Sequence, residues 1–476
     1  MSTVLAFDLG ASSGRAILAD FYGGRITYSE IHRFENIPTT ENGKLCWDFP
    51  YLMREIEKGI EIAASKAKKI DSMAFDTWGV DYGLLDENGR LISLPVNYRD
   101  KRTQGIPEKI FQRVSPEELY KKTGIQIMNI NTLFQLAAEE NKTADTFLFM
   151  PDLIAYMLCG AVSAEQTIAS TSQMLNLHTK QWQKEVYALT GMPESALPDI
   201  VPSASIAGEY KGMKVIKAAG HDTQCAVCAM PCEENEIPAF LSCGTWSLIG
   251  CECDEPVMTE KSMRDELSNE LGANGKMNYL KNISGLWLIQ ELRRNFREQG
   301  REYSYADMEA LARKSKPFLC FIDPDDPAFS SHGDMPRKIQ KRCAETGQEV
   351  PQSDGEIIRT VYESLAMKYR FALRQISENT GRKFSVLHLL GGGTKDPFLC
   401  RMTANSTGIP VVAGPVEATA LGNILLQLVA LGEIDSIEQG RAIIRKTEKV
   451  TEYLPDEADE WNAEYNRFRK LLNKER

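Results

Sequence analysis

The sequence predicts an α/β protein of two domains, and three observations carry that expectation. The chain has 476 residues, more than one ordinary domain holds. Short apolar runs alternate with stretches whose apolar residues recur at helical spacing. A strand, small-residue turn, strand pattern at residues 4–20 (VLAFDLGASSGRAILAD) returns in degenerate form at residues 239–248 (AFLSCGTWSL). Between the two lies a polar, acidic, proline-bounded linker, PCEENEIP at residues 231–238. The expected domains are therefore residues 1–238 and 239–476, each opening on one such hairpin.

The elements follow in order. Val4 to Phe7 is an apolar strand ending at Asp8, and Gly23-Gly24 marks the turn after the next strand. Met53, Ile56, Ile60, Ala63 and Ala67 share one helical face in a segment ending near Lys69. A strand at 73–75 runs into the polar elbow DTWGVD at 76–81. Helices are expected near 131–141 and 151–158, the second stopped by Gly160, and a strand at 215–219 leads into GHDT at 220–223. In the second half Ser284 is expected to cap a helix to about Gln299, and Asp354 a long one through Ile357, Val361, Leu365, Tyr369 and Ile376 to Gly381. A strand at 386–390, a loop at Gly391-Gly392-Gly393, a helix from Asp396 and another over 417–431 complete the chain.

Bulk properties exclude several classes of function. Apolar content of 43% and charged content of 25% are those of a soluble globular protein. A net charge of −11 argues against nucleic acid as a partner. No apolar run approaches the ~20 residues of a membrane span. The N-terminus enters a strand directly with no basic-then-apolar leader, so the expected location is the cytoplasm. Of eleven cysteines, Cys225 and Cys228 form a C-x-x-C, but inside the apolar run CAVCAM. Buried free thiols in a reducing compartment are expected there rather than a metal site.

The opening hairpin carries the clearest chemistry. Gly and Ser in a tight turn let backbone N–H groups crowd around an anion. Asp8 at the strand end is placed to hold a hydrated magnesium ion, and Arg15 adds positive charge. A polyphosphate with its metal is the expected ligand. Gly10 to Gly14 also fits G-x-S-x-G, the hydrolase elbow with Ser12 as nucleophile, but that motif requires a helix after the turn and a hairpin is expected here. No G-x-x-x-x-G-K-[ST] occurs, G-x-G-x-x-G from Gly391 fails at Asp396, and there is no H-E-x-x-H. A nucleotide would thus be bound by paired hairpin turns.

Asp222 follows a strand, with His221 and Thr223 beside it. A carboxylate there can take the proton of an attacking hydroxyl, which is otherwise a poor nucleophile; a helix N-cap is the structural alternative. Asp81 is a candidate acceptor for a sugar hydroxyl, against an ion pair with Arg99 or Arg102. Trp78 is read either as a sugar-stacking ring or as core. Trp287 and His388 read as core, and His32, His178 and His332 carry no motif.

Four segments in order, DLGASSGR, GHDT, SCGTWS at 242–247 and LLGGGTKD at 389–396, resemble the FGGY family of carbohydrate kinases. Supporting runs are WDF at 47–49, DTWGVD, YRDKRT at 98–103, MPD at 150–152, LKNISGLW at 280–287 and AGPVEATALGN at 413–423. The resemblance covers nearly the whole chain. It implies two actin-like (ribonuclease H-like) domains with a nucleotide and sugar cleft between them. It implies ATP and Mg2+, with Ala11, Ser12, Ser13, Gly14, Arg15 and Thr245 on the phosphates, Gln290 and Gly392 on the rest of the nucleotide, and Asp8 on magnesium through water. It implies Asp222 as general base, with Gly79, His221, Thr223 and Asn282 on the sugar. The members most similar to this sequence imply L-rhamnulose as acceptor. Another ketose (L-fuculose or xylulose) and, from another class, an actin-like ATPase without sugar chemistry are the alternatives.

Overall fold

The computed structural model describes residues 1–474. Strand β1 (Ser2–Leu9) is buried along its whole length, as its nearly continuous apolar run requires. It pairs antiparallel with β2 (Ser13–Tyr22), which pairs antiparallel with β3 (Arg25–Glu35) across a turn where Gly23 and Gly24 take φ of 58° and 74°. On its other side β1 runs parallel to β4 (Ser72–Thr77), in a register that sets Asp8 opposite Asp76. With β5 (Ser205–Tyr210) and β6 (Met213–Lys217) the sheet order is β5-β6-β4-β1-β2-β3. The helix Phe49–Lys66 covers one face, burying Ile56, Ile60 and Ala63 as the periodicity predicts; Leu52 is buried where Met53 is expected, Met53 is half-buried, and Ala67 is the C-cap. Strand, turn and strand at residues 2–22 leave no helix after Ser12, so the hydrolase elbow is absent.

The second sheet repeats this plan. Strand β7 (Pro238–Cys243) is antiparallel to β8 (Trp246–Cys253) and parallel to β9 (Val386–Leu390). In turn β9 is parallel to β10 (Val411–Ala413), which is antiparallel to β11 (Thr451–Tyr453). The order β8-β7-β9-β10-β11 matches β2-β1-β4-β6-β5 strand for strand, with the same sequence of parallel and antiparallel pairings. The degenerate hairpin repeat in the sequence is thus the visible part of a repeated topology.

By packing, the chain divides into two compact units. The first holds Met1–Pro231, Glu252–Tyr279 and Glu417–Glu448; the second holds Cys232–Cys251, Leu280–Val416 and the chain from Lys449. What places residues 417–448 in the first unit is apolar burial. The helix Ala418–Ala430 buries ten residues, packing on β1, on β4 and on the short helix Asp222–Cys228. Its Gly422 lies so close to that helix that a Cβ would sit 1.8 Å from the Cys225 carbonyl oxygen.

Two expected helix starts shift. The helix expected from Ser284 begins at Trp287, because Ser284 closes the strand Met277–Ser284 and its N–H donates to Asp325 Oδ1 at 2.7 Å. The long helix Asp354–Thr380 is capped one residue earlier, by Ser353 in a capping box with Glu356. Its end at Gly381 in the left-handed region is as expected. All eleven cysteines are free thiols, nine of them buried.

Candidate active site

The first unit brings the strand ends together. The Thr77 N–H donates to the Gly220 carbonyl at 2.9 Å, so the DTWG and GHDT loops leave adjacent points of the sheet. Glu165 fixes the second loop from behind, accepting the N–H groups of Gly220 at 2.8 Å and Thr167 at 2.9 Å on one oxygen. Asp222 is the first residue of the helix Asp222–Cys228, with His221 as its flanking residue and Thr223 donating its N–H to Asp222 Oδ1 at 2.6 Å. The Asp222 side chain is 32% exposed. Burial of its surroundings pushes the carboxyl above the usual carboxylate range; His221 opposes the shift and Asp8 adds to it. A carboxylate so placed is reachable and holds a proton more tightly than one in water.

The His221 ring is buried. Its Nδ1 lies 3.0 Å from Glu270 Oε2, and its Nε2 lies 3.4 Å from Asp222 Oδ1. Burial alone would lower the histidine pKa, but Glu270 raises it above the ordinary value. A Cβ at Gly79 would stand 3.5 Å from His221 Nε2 and 3.5 Å from the Thr171 side chain. Gly79, His221 Nε2 and Asp222, three of the residues expected on the sugar side, therefore lie together.

The hairpin β1–β2 supplies charge to the same unit. Arg15 forms ion pairs with both Asp8 and Glu417. Burial would depress its pKa, and the two carboxylates reverse this and drive it up. In the turn, Asn36 ties down the Gly10 and Ser12 carbonyls and Gly10 N–H binds the Ser13 carbonyl, each at 2.9–3.0 Å. The turn around Ala11, Ser12 and Ser13 is thus fixed through its carbonyls. Ser12 is exposed, and Gly14 is required because a Cβ there would land 2.2 Å from the Phe34 ring. Beside Asp8, Asp76 is fully buried: its Oδ2 accepts from Asn423 Nδ2 at 2.7 Å and its Oδ1 has no partner. Burial first, and then Asp8, hold the Asp76 carboxyl well above its usual range.

The second unit carries the second turn. Thr245 Oγ1 donates to Gln290 Oε1 at 3.3 Å, which brings two predicted nucleotide residues together. Cys243, at the end of β7, is buried against Ser247 and Tyr369, and burial pushes its thiol up to about 11. The three glycines after β9 divide their work. Gly391 has φ of 82°, and a Cβ on Gly393 would stand 2.3 Å from Cys243 Sγ. A Cβ on Gly392 would meet nothing within 4 Å, so packing does not explain that glycine. Asn282 is half-buried on the strand Met277–Ser284.

Two expectations need correction. Asp81 is fully buried and accepts from Trp47 Nε1 at 2.6 Å, Trp78 Nε1 at 3.0 Å, Gln135 Nε2 at 2.9 Å and the Tyr98 N–H at 3.2 Å. With both oxygens engaged and no exposed surface it is a structural acceptor rather than an open one for sugar. Of the two arginines weighed as ion-pair partners for it, Arg102 binds Glu139. Trp78 is buried, with its ring centroid 4.1 Å from that of Trp47 and its N–H on Asp81. Trp287 is half-buried, its N–H bound to the Phe329 carbonyl at 3.0 Å, and His388 is a core residue with Nε2 2.9 Å from Glu236.

Sequence reasoning passed over Glu270, Asp76, Glu417 and Asn423. Glu270 carries no motif; the structure places it in the short strand Ser268–Leu271, buried at every position. The other three act through partners hundreds of residues away.

A partly exposed carboxylate at a helix start and an ionisable cluster at a small-residue turn in the same unit are groups that phosphoryl-type transfer requires. Comparison with known proteins agrees. Residues 3–230 match the N-terminal domain, and residues 239–431 the C-terminal domain, of the FGGY family of carbohydrate kinases. The chain belongs to that family. It is 40% identical to a rhamnulokinase of Bacteroides thetaiotaomicron over 98% of this chain and 99% of that one. A rhamnulokinase of Ligilactobacillus salivarius is 36% identical over the whole of both chains. Among solved structures, a ligand-bound xylulose kinase from Lactobacillus acidophilus superposes with a TM-score of 0.82 at 16% identity, covering 100% of this chain and 98% of that one. Plasmodium falciparum glycerol kinase with ADP gives 0.76 at 15% identity, over 100% and 98%. At that identity the structures speak for the fold alone. Among the described residues no helix is long and apolar enough to cross a membrane.

Proposed function

We propose that this protein transfers the γ-phosphoryl group of ATP to the 1-hydroxyl of L-rhamnulose, a step of L-rhamnose catabolism in the cytoplasm. The observation that carries the reading is the convergence of Asp222, His221 Nε2 and Gly79 in the same unit as Asp8. The near full-length likeness to rhamnulokinases supports the ketose.

The chemistry assigns each group a task. Asp222 accepts the proton of the ketose hydroxyl as its oxygen bonds to the γ-phosphorus and the bond to the β–γ bridging oxygen breaks, releasing ADP. The raised pKa of Asp222 suits it to take that proton. Gly79, His221, Thr223 and Asn282 hold the ketose. Ala11 to Arg15 and Thr245 hold the phosphates, and Gln290 and Gly392 the remainder of the nucleotide. Magnesium would be held through water by Asp8. The carboxylates of Asp8 and, opposite it in register, Asp76, whose Oδ1 has no hydrogen-bond partner among the described residues, are hard oxygen donors that fit a hydrated cation. When bound, the ion supplies positive charge to the β- and γ-phosphate oxygens. Phosphoryl transfer is mainly positioning and charge stabilisation, which is the work assigned to these residues.

A panel of ketoses with ATP, read by ADP release, tests this. L-rhamnulose is expected to give the highest kcat/KM. Turnover of L-fuculose or xylulose without L-rhamnulose overturns the substrate, and sugar-independent ATP hydrolysis as the main activity overturns the kinase reading.

A further inference from the structure

We infer that Glu270 is a positioning residue for the phosphoryl transfer, fixing the orientation and protonated nitrogen of His221; the inference rests on the kinase reading above. Glu270 reaches the site from the segment Glu252–Tyr279, distant in sequence from the GHDT loop but part of the same unit. It is 4% exposed and His221 is 7% exposed, so water does not compete for their contact. Glu270 Oε2 has two partners, His221 Nδ1 at 3.0 Å and Gln224 Nε2 at 2.7 Å. Gln224 is held in turn by Asn278, whose Nδ2 donates to Gln224 Oε1. The chain Asn278, Gln224, Glu270, His221 ends at Nε2, the nitrogen facing Asp222 and Gly79.

The chemical consequence is specific. A carboxylate accepts and does not donate, so the nitrogen opposite it carries the proton. A ring turned by 180° would set carbon, not nitrogen, against Glu270 and lose the bond. Glu270 therefore selects the orientation in which Nε2 is presented to the ketose hydroxyls. This is the logic by which an outer carboxylate orients a working imidazole. Glu165, the other buried carboxylate near the loop, binds backbone N–H groups and the Thr167 and Ser203 hydroxyls, so it shapes the loop and leaves the ring to Glu270.

Two measurements test this. Long-range 1H–15N spectra of histidine-labelled full-length protein, with His221→Gln to identify the signal, are expected to show Nδ1 of His221 protonated. An Nδ1 without a proton overturns the inference and requires no altered Glu270. Second, Glu270→Gln is expected to raise KM for L-rhamnulose about tenfold or more while KM for ATP stays within about twofold, with Glu270→Asp partly restoring ketose binding. Unchanged ketose kinetics, or equal losses for ketose and ATP, overturn it. Failure of the unaltered protein on every ketose would instead sink the kinase reading, while the spectra still decide the Glu270–His221 pair.

Discussion

The two phosphate-turn hairpins share one plan and differ in what they carry. In β1–β2 the strand ends hold Asp8, Arg15 and, from the helix side, Glu417, with Asp76 alongside. In β7–β8 the strand ends and turn hold Cys243, Thr245 and Ser247, backed by Tyr369 and Gln290, with no pair of opposite charges among these five. The first turn is built to manage charge and the second to offer hydrogen bonds. The charged turn belongs to the unit that contains Asp222, the proposed base. A duplicated scaffold has thus been specialised by its side chains, while its ladder stays the same.

That contrast can be broken at several points. The largest effect is expected at Asp222. Replacing it by Asn should cut turnover by a factor of about 10²–10⁴ with ATP binding largely retained. In the unaltered protein the acid limb of kcat/KM for ketose should lie above the usual carboxylate range, because the proton acceptor must be ionised and its pKa is raised. A flat profile down to ordinary carboxylate pH, or near-normal turnover of Asp222→Asn, removes it as the base.

Next is Asp8→Asn in the charged turn, expected to lower kcat/KM for MgATP by about 10²–10³, the scale of a lost transition-state electrostatic group. Its counterpart, Thr245→Val in the neutral turn, removes one hydroxyl hydrogen bond worth about 1 kcal/mol, so KM for ATP should rise about fivefold. Equal losses from the two changes would erase the distinction between the turns. The packing that sets the Asp222 helix is tested by Gly422→Ala. Its methyl would meet the Cys225 carbonyl, and overpacking of this kind costs about 1–3 kcal/mol, read as a lower Tm. The smallest structural effect is expected from Gly79→Ala, whose methyl fits at ordinary contact distance. Tm should hold while KM for the ketose rises a few-fold.

Much of this was legible because local signals and global packing agree. The first hairpin announced itself through Asp8, its glycines and Arg15, and the helix Phe49–Lys66 through its apolar period. The motifs singled out Asp222 and Gly79, which the fold sets on either side of His221 Nε2. Asp81 was misread because its polar neighbours in DTWGVD hide that Trp47, Tyr98 and Gln135 deliver donors to it from other parts of the chain. Glu270 was passed over for the converse reason: its partner lies forty-nine residues away and nothing in SNELG names it. Contacts of long sequence separation leave no periodic trace, and the working geometry of the site is made of them.

The exchange of segments between units has a consequence for biosynthesis. The faces of β1 and β4 that the helix Ala418–Ala430 covers are translated hundreds of residues before that helix exists. Residues 280–416, which belong to the second unit, emerge from the ribosome while the first still waits for its cover. The unit begun first therefore stays incomplete until most of the second has been made, and its sheet has to be shielded by other means until residue 430 is made.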